Sequence, residues 1–558
     1  MPKYIFVTGG VLSGLGKGIT AASIGLILKS SGLTVDAVKF DPYLNIDPGT
    51  MSPYEHGEVY VLQDGSETDL DLGHYERFLD VNLTEVSSVA SGKIYSKILD
   101  RERDGAYLGK NVQLIPHVTN YIKECFARET NSDVRIIEIG GSTGDYEADI
   151  FLESLRQFRQ ENKENIFHIH LGFVPFLACS GEYKTKPLQV SVRELSRAGL
   201  QPDMIVARYT KEKEQNLSIE HLKKLALFSN LPYENIISLP DLDNIYQVPL
   251  FLEDTTAKTV LEKFLQTKLS SQLPEFYSKI QNYQKLPTVK VAIVAKYTKL
   301  VDAYLSIFES LKIAGVEQNI RIEPILIDAE KLNDKVESEW ENLHSAQAVI
   351  VPGGFGNRGM EGKILSIKWA RENKIPFLGI CLGMQLAIIE FARNICNINS
   401  AISSEMYESR PELINKNVII DLMPSQFKIE RKGGTMRLGN YACSIKEGSL
   451  AYTLFGAKNI IERHRHRLEV QSEYINILEG KGLVVSGKHF SENTSAQKNE
   501  QQYLVEIIEL DQSKHPYFIA TQSHPEFLSR PGKPHPLFLG LIDATQKVQN
   551  LPIINKNV

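Results

Sequence analysis

The stretch FVTGGVLSGLGKGITAAS, residues 6–23, runs from an apolar strand through a glycine-rich turn into an amphipathic run. It is close to a phosphate-binding loop. The usual spacing, G-x-x-x-x-G-K-[ST], asks for glycine at position 11 and a hydroxyl after the lysine. Val11 and Gly18 stand there instead. Glycines at 9, 10, 14, 16 and 18 let a backbone approach a phosphate, and Lys17 can neutralise the outer charge. A tight strand-to-helix turn with a chance lysine leaves the same signature, so both readings stand at this point. If a magnesium nucleotide binds here, Gly18 cannot ligate the metal as Ser or Thr does, and carboxylates must take over.

Two places supply them. GSETDLDLGHYERF offers Glu67, Asp69 and Asp71, with a solvated loop as the alternative. RIIEIGGSTGDYE puts Glu138 directly after a buried-looking strand, where parallel sheets present residues to a ligand. Lys39 ends another strand. GEYKTKPLQ sets Lys184 and Lys186 on one side of an extended segment, a spacing that suits a polyphosphate or plain surface charge.

Working outward, short β-rich runs alternate with helical patterns, which argues for α/β architecture with a parallel sheet covered on both faces. The polar, proline-bearing run TKLSSQLPEFYSKIQNYQKLPTVK interrupts the rhythm before a second βα series begins. The expected division is a first domain over 1–266, a linker over 267–288 and a second domain over 289–550. The run 489–502 reads as a polar surface loop. Basic and acidic residues number 62 and 68, a net charge of -6, which argues against a general nucleic-acid or membrane binder. Five scattered cysteines suit reduced thiols in the cytoplasm. The start MPKYIFVTGG reads as a strand, not a secretory leader, and no apolar run is long enough to span a bilayer.

The second series carries different chemistry. IPFLGICLGMQLAIIEFA, residues 375–392, is a strand, then Gly379-Ile380-Cys381-Leu382-Gly383, then a helix. This is the nucleophile-elbow pattern with cysteine in place of serine. A thiol at a helix N-terminus is biased toward thiolate. TQSHPEF supplies His524 as base and Glu526 to orient it. VPGGFGNRG, with backbone N–H groups near Gly354, and Leu382 would form an oxyanion hole. The alternatives are an inert buried cysteine and a core histidine. IERHRHRLE, residues 461–469, reads either as a solvated edge strand or as a source of an arginine for a substrate carboxylate.

Taken together, TGGVLSGLGKG, KFDPYLNIDPGTMSPYEHGEV, ETDLDLGHYERF, EIGGSTGDYE, GEYKTKPLQ, VPGGFGNRG, GICLGMQ, GGTMRLG, ERHRHR and HPEF resemble the CTP synthase family, in its order and over nearly the whole chain. The resemblance implies a dethiobiotin-synthetase-like P-loop domain followed by a class I glutamine amidotransferase domain. It implies ATP-dependent amination of UTP, with Mg²⁺, glutamine as nitrogen source, activation by GTP, inhibition by CTP and a homotetramer. By motif, Ser13 would contact UTP or CTP, as would Asp145, Tyr146, Glu147, Lys184, Thr185, Lys186, Pro187, Leu188, Gln189 and Lys224. Gly14, Leu15, Gly16, Lys17, Gly18 and Ile19 would hold ATP, with Pro240, Asp241 and Leu242 near adenine. Lys39 would assist phosphoryl transfer, and Asp71 and Glu138 would bind Mg²⁺, with Asp71 also at the ATP site. Gly354, Leu382, Gln385, Glu405 and Arg467 would bind glutamine around Cys381, His524 and Glu526. The family usually has an aromatic residue where Ser523 stands, and often a polar one at Pro240. A related reading, a cobyrinic-acid amidase with the same domain pair, is disfavoured by KTKPLQ and DPYLNIDPG. A non-catalytic nucleotide-sensing scaffold is disfavoured by the intact Cys381, His524 and Glu526.

Overall fold

The computed structural model describes residues 2–10, 12–212, 216–406, 417–423, 426, 433–490 and 503–551. Val11 and most of the expected 489–502 loop lie outside them; His489 and Phe490 end a strand. Two compact units form. One combines Met1–Pro48 with Asp71–Gln281, the other Gly49–Leu70 with Asn282–Val558. Residues 49–70, inside the stretch that the sequence assigns to the first domain, therefore pack with the second unit.

The first unit is built on seven strands: β1 (Lys3–Gly9), β2 (Val35–Asp41), β3 (Ser88–Ala90), β4 (Val134–Ile139), β5 (Ile166–Phe173), β6 (Met204–Tyr209) and β7 (Ile236–Pro240). They lie in the order β7-β6-β5-β1-β4-β2-β3, every pair parallel. Both faces of such a sheet are covered, so β1 and β4 read as nearly unbroken apolar runs. Helix α1 (Lys17–Ser30) follows β1, α2 (Leu70–Leu79) precedes β3, α3 (Tyr146–Glu161) follows β4 and α4 (Lys186–Arg197) follows β5. Phe126 anchors one layer, edge-on to Phe6 at 5.0 Å and to Phe40 at 4.8 Å. The polar run 267–288 is not a bare tether. Phe276 and Tyr277 are buried in a short helix, Glu275–Lys279, against Tyr246.

The second unit centres on β8 (Thr288–Ala295), β9 (Arg321–Asp328), β10 (Ala348–Val351), β11 (Phe377–Ile380), β12 (Arg437–Ile445), β13 (Asn459–His466), β14 (Leu483–Phe490), β15 (Tyr503–Leu510) and β16 (Phe518–Thr521). Their order is β9-β8-β10-β11-β16-β15-β14-β12-β13. The first five are mutually parallel and the rest antiparallel. Helices α5 (Leu305–Glu317), α6 (Met360–Glu372) and α7 (Leu382–Asn394) cover the parallel part. Thus β10, β11 and β16 are neighbours, and their carboxyl ends open side by side.

The edge strand β13 corrects one expectation: it is not solvated. Arg463 and His464 are fully buried: residues 57–68 cover Arg463, and His464 lies against Glu506 and Tyr441 on the other face. Arg463 Nη1 donates to Tyr60 Oη at 3.2 Å and to the Val61 carbonyl at 3.1 Å. Tyr60 in turn donates to the Phe527 carbonyl at 2.9 Å and packs edge-on against the Phe527 ring. Glu58 accepts from Ser306 N at 3.1 Å and Ser306 Oγ at 2.5 Å. A buried guanidinium with charge-assisted contacts has no cheap replacement. Arg463→Met is expected to release this cover, with amide exchange over residues 57–68 accelerating about 10- to 100-fold. Hydrogen-exchange mass spectrometry of that peptide checks it; unchanged protection would refute the role given to Arg463.

Candidate active sites

In the first unit the glycine loop ends β1 and opens α1. Gly14 and Gly16 have φ of +71° and +79°, a conformation that costs glycine little. An added Cβ at either would meet nothing within 4 Å, so the loop borders open space. Ser13 is exposed beside them, Leu15 is buried and Ile19 half-buried. Lys17 Nζ donates to the Gly141 carbonyl at 2.9 Å, across the top of β4. Gly18 answers the question of the missing hydroxyl: a Cβ there would collide with the Asp71 carboxylate, so glycine admits the acid.

Around that point the charges are dense. Lys39 and Glu138 face each other in register on β2 and β4, both nearly inaccessible. Lys39 Nζ pairs with Asp71 and lies 3.5 Å from Asp41. Tyr75 Oη donates to Glu138. Burial, reinforced by the Asp71 carboxylate, pushes Glu138 up to about 7, with Lys39 and Lys17 pulling the other way. For Asp71, burial is outweighed by Lys39, His74 and Lys17, and its carboxyl is held below the usual range. A buried Glu138 and a half-buried Asp71 that repel each other beside the open glycine backbone fit a divalent cation. Mg²⁺ commonly takes one or two carboxylates and fills the rest with water and phosphate. Among the described residues no group of three or more His, Cys, Asp or Glu side chains is placed to hold a metal ion by itself. Glu67 and Asp69 are not part of this group: Glu67 accepts from Arg465 Nε at 2.8 Å and Asp69 lies 3.4 Å from His56, all within the second unit.

Asp145 stands just before α3, its carboxylate accepting from Ser142 N at 3.1 Å, with Tyr146 and Glu147 exposed at the helix start. Lys184 and Lys186 do not share a strand face as expected. Lys184 pairs with Glu182, whereas Lys186 begins α4, because Pro187 suits the first turn of a helix. Thr185 and Gln189 are buried and joined by a 3.0 Å hydrogen bond. Leu188 is in the core, so only its backbone is free for a ligand. Lys224 is exposed on the helix Ile219–Ser229. Pro240 is buried at the end of β7; Asp241 accepts from Arg208 and Thr210, each at 2.6 Å, and Leu242 is half-buried.

The second site sits on the three converging strands. Cys381 follows β11 with φ +51°, rare for a residue with a side chain. Its N–H donates to the Thr521 carbonyl at 2.7 Å. A Cβ at Gly383 would collide with the Val351 carbonyl, and one at Gly379 would lie 2.8 Å from Ala520 Cβ. His524 follows β16. Its Nδ1 is 2.7 Å from Glu526 Oε1, and its ring stacks on Phe527 at 5.2 Å. Its Nε2 is buried without a hydrogen-bond partner. The glycine strip after β10 closes the third side. A Cβ on Gly353 would sit 3.0 Å from His524 Cε1 and 3.6 Å from Cys381 Cβ, so the three groups converge. Burial disfavours a charged His524, but Glu526 and Cys381 outweigh it and raise the imidazole to about 10. Ser523, where an aromatic residue was expected from the family, hydrogen-bonds Thr521 Oγ1 at 2.6 Å and Glu462 at 3.3 Å.

Gly354 has φ +153° and Leu382 begins α7. Glu405 Oε1 accepts from Gly356 N at 2.5 Å, and the Arg467 carbonyl accepts from Met423 N at 3.0 Å. Gln385 is buried with its amide donating to the Leu468 carbonyl and to Gln522. A cavity of about 280 Å³ opens beside His524 and Gly354 and is walled by Tyr304, Phe355, Arg465 and residues of the 49–59 segment. Sequence reading missed three participants. Lys296, directly after the apolar β8, donates to the Phe355 carbonyl at 3.2 Å, and burial lowers it to about 8. The 49–70 segment and Gln522 carried no signal beyond their motifs.

A cysteine elbow, a His–Glu pair and a glycine strip on adjacent parallel strands define the class: a glutamine amidotransferase, and the class-I glutamine amidotransferase family matches residues 299–544. The family described as CTP synthase N-terminus matches residues 3–267. The chain belongs to the CTP synthase family, which are glutamine-hydrolysing ligases. It is 52% identical over 562 residues to CTP synthase of Caldanaerobacter subterraneus, covering 100% of both chains. It is 49% identical to that of Methanocaldococcus jannaschii (97% of this chain, 98% of the other) and 48% to that of Staphylococcus aureus (98% and 99%). Among solved structures, the Trypanosoma brucei CTPS glutaminase domain with bound acivicin is 30% identical, covering 46% of this chain and 94% of its own, with a TM-score of 0.40.

The His524–Glu526 pair gives a pH prediction. The folded imidazole value, about 10, lies above the roughly 6.5 of an unfolded histidine. The pair's stabilisation is therefore complete below about pH 6.5 and is lost as pH rises through about 10. In Glu526→Gln the His524 ring is expected to lose its proton at a lower pH by about two units or more. NMR titration of the ring reads this; an unchanged titration would contradict the assigned role of Glu526.

Proposed function

We propose that the chain converts UTP to CTP, using ATP and ammonia released from glutamine at Cys381. What carries this reading is the full-length identity to CTP synthases, supported by the convergence of Cys381, His524 and the glycine strip. The division into a synthase domain over 1–266, a linker over 267–288 and an amidotransferase domain over 289–550 belongs to the same proposal.

At the second site Cys381 Sγ, its proton already held by the His524 imidazolium, attacks the amide carbon of glutamine as a thiolate. The C–N bond then breaks, and the imidazolium returns the proton to the leaving nitrogen as ammonia. Water cleaves the thioester, giving glutamate and the thiol. Glu526 steadies the imidazolium, and the N–H groups of Gly354 and Leu382 receive the oxyanion. Gln385, Glu405 and Arg467 hold glutamine. The cavity beside His524 offers ammonia a sheltered exit, which matters because ammonia in water is mostly protonated and inert as a nucleophile.

At the first site Gly14, Leu15, Gly16, Lys17, Gly18 and Ile19 cradle ATP, with Pro240, Asp241 and Leu242 at the base. Ser13, Asp145, Tyr146, Glu147, Lys224 and residues Lys184 to Gln189 bind UTP, or CTP as inhibitor. Asp71 and Glu138 would hold Mg²⁺, which when bound neutralises phosphate charge. Lys39 stabilises the phosphoryl group as it moves to the 4-oxygen of UTP. Ammonia then displaces phosphate at that carbon. The family resemblance supports GTP as activator, a homotetramer and a cytoplasmic location. All five cysteines are unpaired, in keeping with a reducing compartment. No helix among the described residues is long and apolar enough to cross a membrane.

The test is ultraviolet detection of cytosine from UTP, ATP and Mg²⁺, with glutamine or ammonium as nitrogen source. Cys381→Ala is expected to abolish the glutamine-driven rate and keep the ammonium-driven one. Lys17→Ala is expected to abolish both while glutamine hydrolysis partly persists. Ammonium-driven synthesis surviving in Lys17→Ala would remove the glycine loop from the ATP site.

A further inference from the structure

We infer that Gln522 is a positioning residue for the nucleophile: its side-chain amide donates to Cys381 Sγ and favours the thiolate, while Gln385 fixes which way that amide faces. The inference rests on the reading of Cys381 as the glutamine-hydrolysing thiol and adds a residue to its machinery.

The orientation follows from a chain of hydrogen bonds. The Leu468 carbonyl only accepts, so Gln385 must turn its NH₂ toward it, at 3.1 Å. The same nitrogen lies 3.2 Å from the Gln522 side chain, which must therefore present its oxygen there. That leaves the Gln522 NH₂ for the sulfur, at 3.6 Å. Gln522 is fully buried, and its backbone N–H donates to the Glu506 carbonyl at 2.8 Å, so the side chain has no solvent to turn to.

The sulfur's other polar contact has the opposite preference. The Arg465 carbonyl lies 3.6 Å away and can only accept, so it suits the S–H form. Once the proton moves to the unpartnered His524 Nε2, that carbonyl loses its donor and the Gln522 N–H remains to hold the anion. Cys381 is thus set between one contact for the thiol and one for the thiolate. Besides His524 and its partner Glu526, the titratable side chains that act on the sulfur include Lys363 and Glu469, both buried and both pushed by burial toward their neutral forms. Neither is altered by replacing Gln522.

Gln522→Met and Gln522→Glu in the full chain test this. The readouts are kcat/KM for glutamate release against pH and the pH midpoint for alkylation of Cys381 by iodoacetamide, followed on its own peptide by mass spectrometry. Wild-type glutamate release is measured first, since its absence would overturn the glutaminase reading itself. The Met variant is expected to lose about 10- to 100-fold in kcat/KM, mainly through kcat, and to raise the alkylation midpoint by about one pH unit. The Glu variant, which sets a carboxylate against the sulfur, is expected to do more of both. An unchanged alkylation midpoint in the Met variant, whatever its rate, would overturn the role given to Gln522, because a merely structural part leaves thiol acidity alone.

Discussion

A side chain held at φ +51° costs on the order of 1–3 kcal/mol, and Cys381 is held there by its surroundings. Its N–H is tied to Thr521 on β16, where Gly379 also lets β11 close against Ala520, while Gly383 lets α7 close against Val351 on β10. The strain puts the sulfur at the carboxyl end of the sheet, at the first turn of α7 and beside His524 from the adjacent β16. Much of the second unit serves to over-determine that one turn.

The first unit solves a different problem with related means. There the backbone is relaxed by glycine, and the tension is electrostatic. Lys39 and Glu138 are buried with the half-buried Asp71 beside them, and Glu138 is left closer to protonation than an ordinary carboxylate. Such a group accepts a cation readily, since binding removes the repulsion from Asp71. On the proposed function, the absence of a hydroxyl after Lys17 is not a defect. The space it would fill belongs to the Asp71 carboxylate.

Much of this was legible because the chemistry is local. The βα alternation gave the fold class, and the runs around Gly16, Glu138, Cys381 and His524 each carry their glycines and acids within a few residues. What escaped was non-local. Nothing near Tyr60 or Glu58 reveals that residues 49–70 leave the first unit and bury Arg463, so IERHRHR read either as a solvated edge or as a source of a carboxylate-binding arginine. Glu67 and Asp71 sit four positions apart yet belong to different units, a separation no spacing rule conveys. The paired lysines at 184 and 186 failed as a strand motif because Pro187 starts a helix. Gln522 is a residue whose meaning comes only from the sulfur and the amide packed against it.

The central claim is that nitrogen freed at Cys381 becomes the amino group of the product pyrimidine. The most direct measurement supplies glutamine labelled with ¹⁵N in its side-chain amide, together with excess unlabelled ammonium, and reads the label in CTP formed from UTP and ATP by mass spectrometry. The account predicts CTP labelled well beyond the isotopic ratio of the bulk ammonia. CTP carrying only the bulk ratio, or no CTP at all, would contradict it.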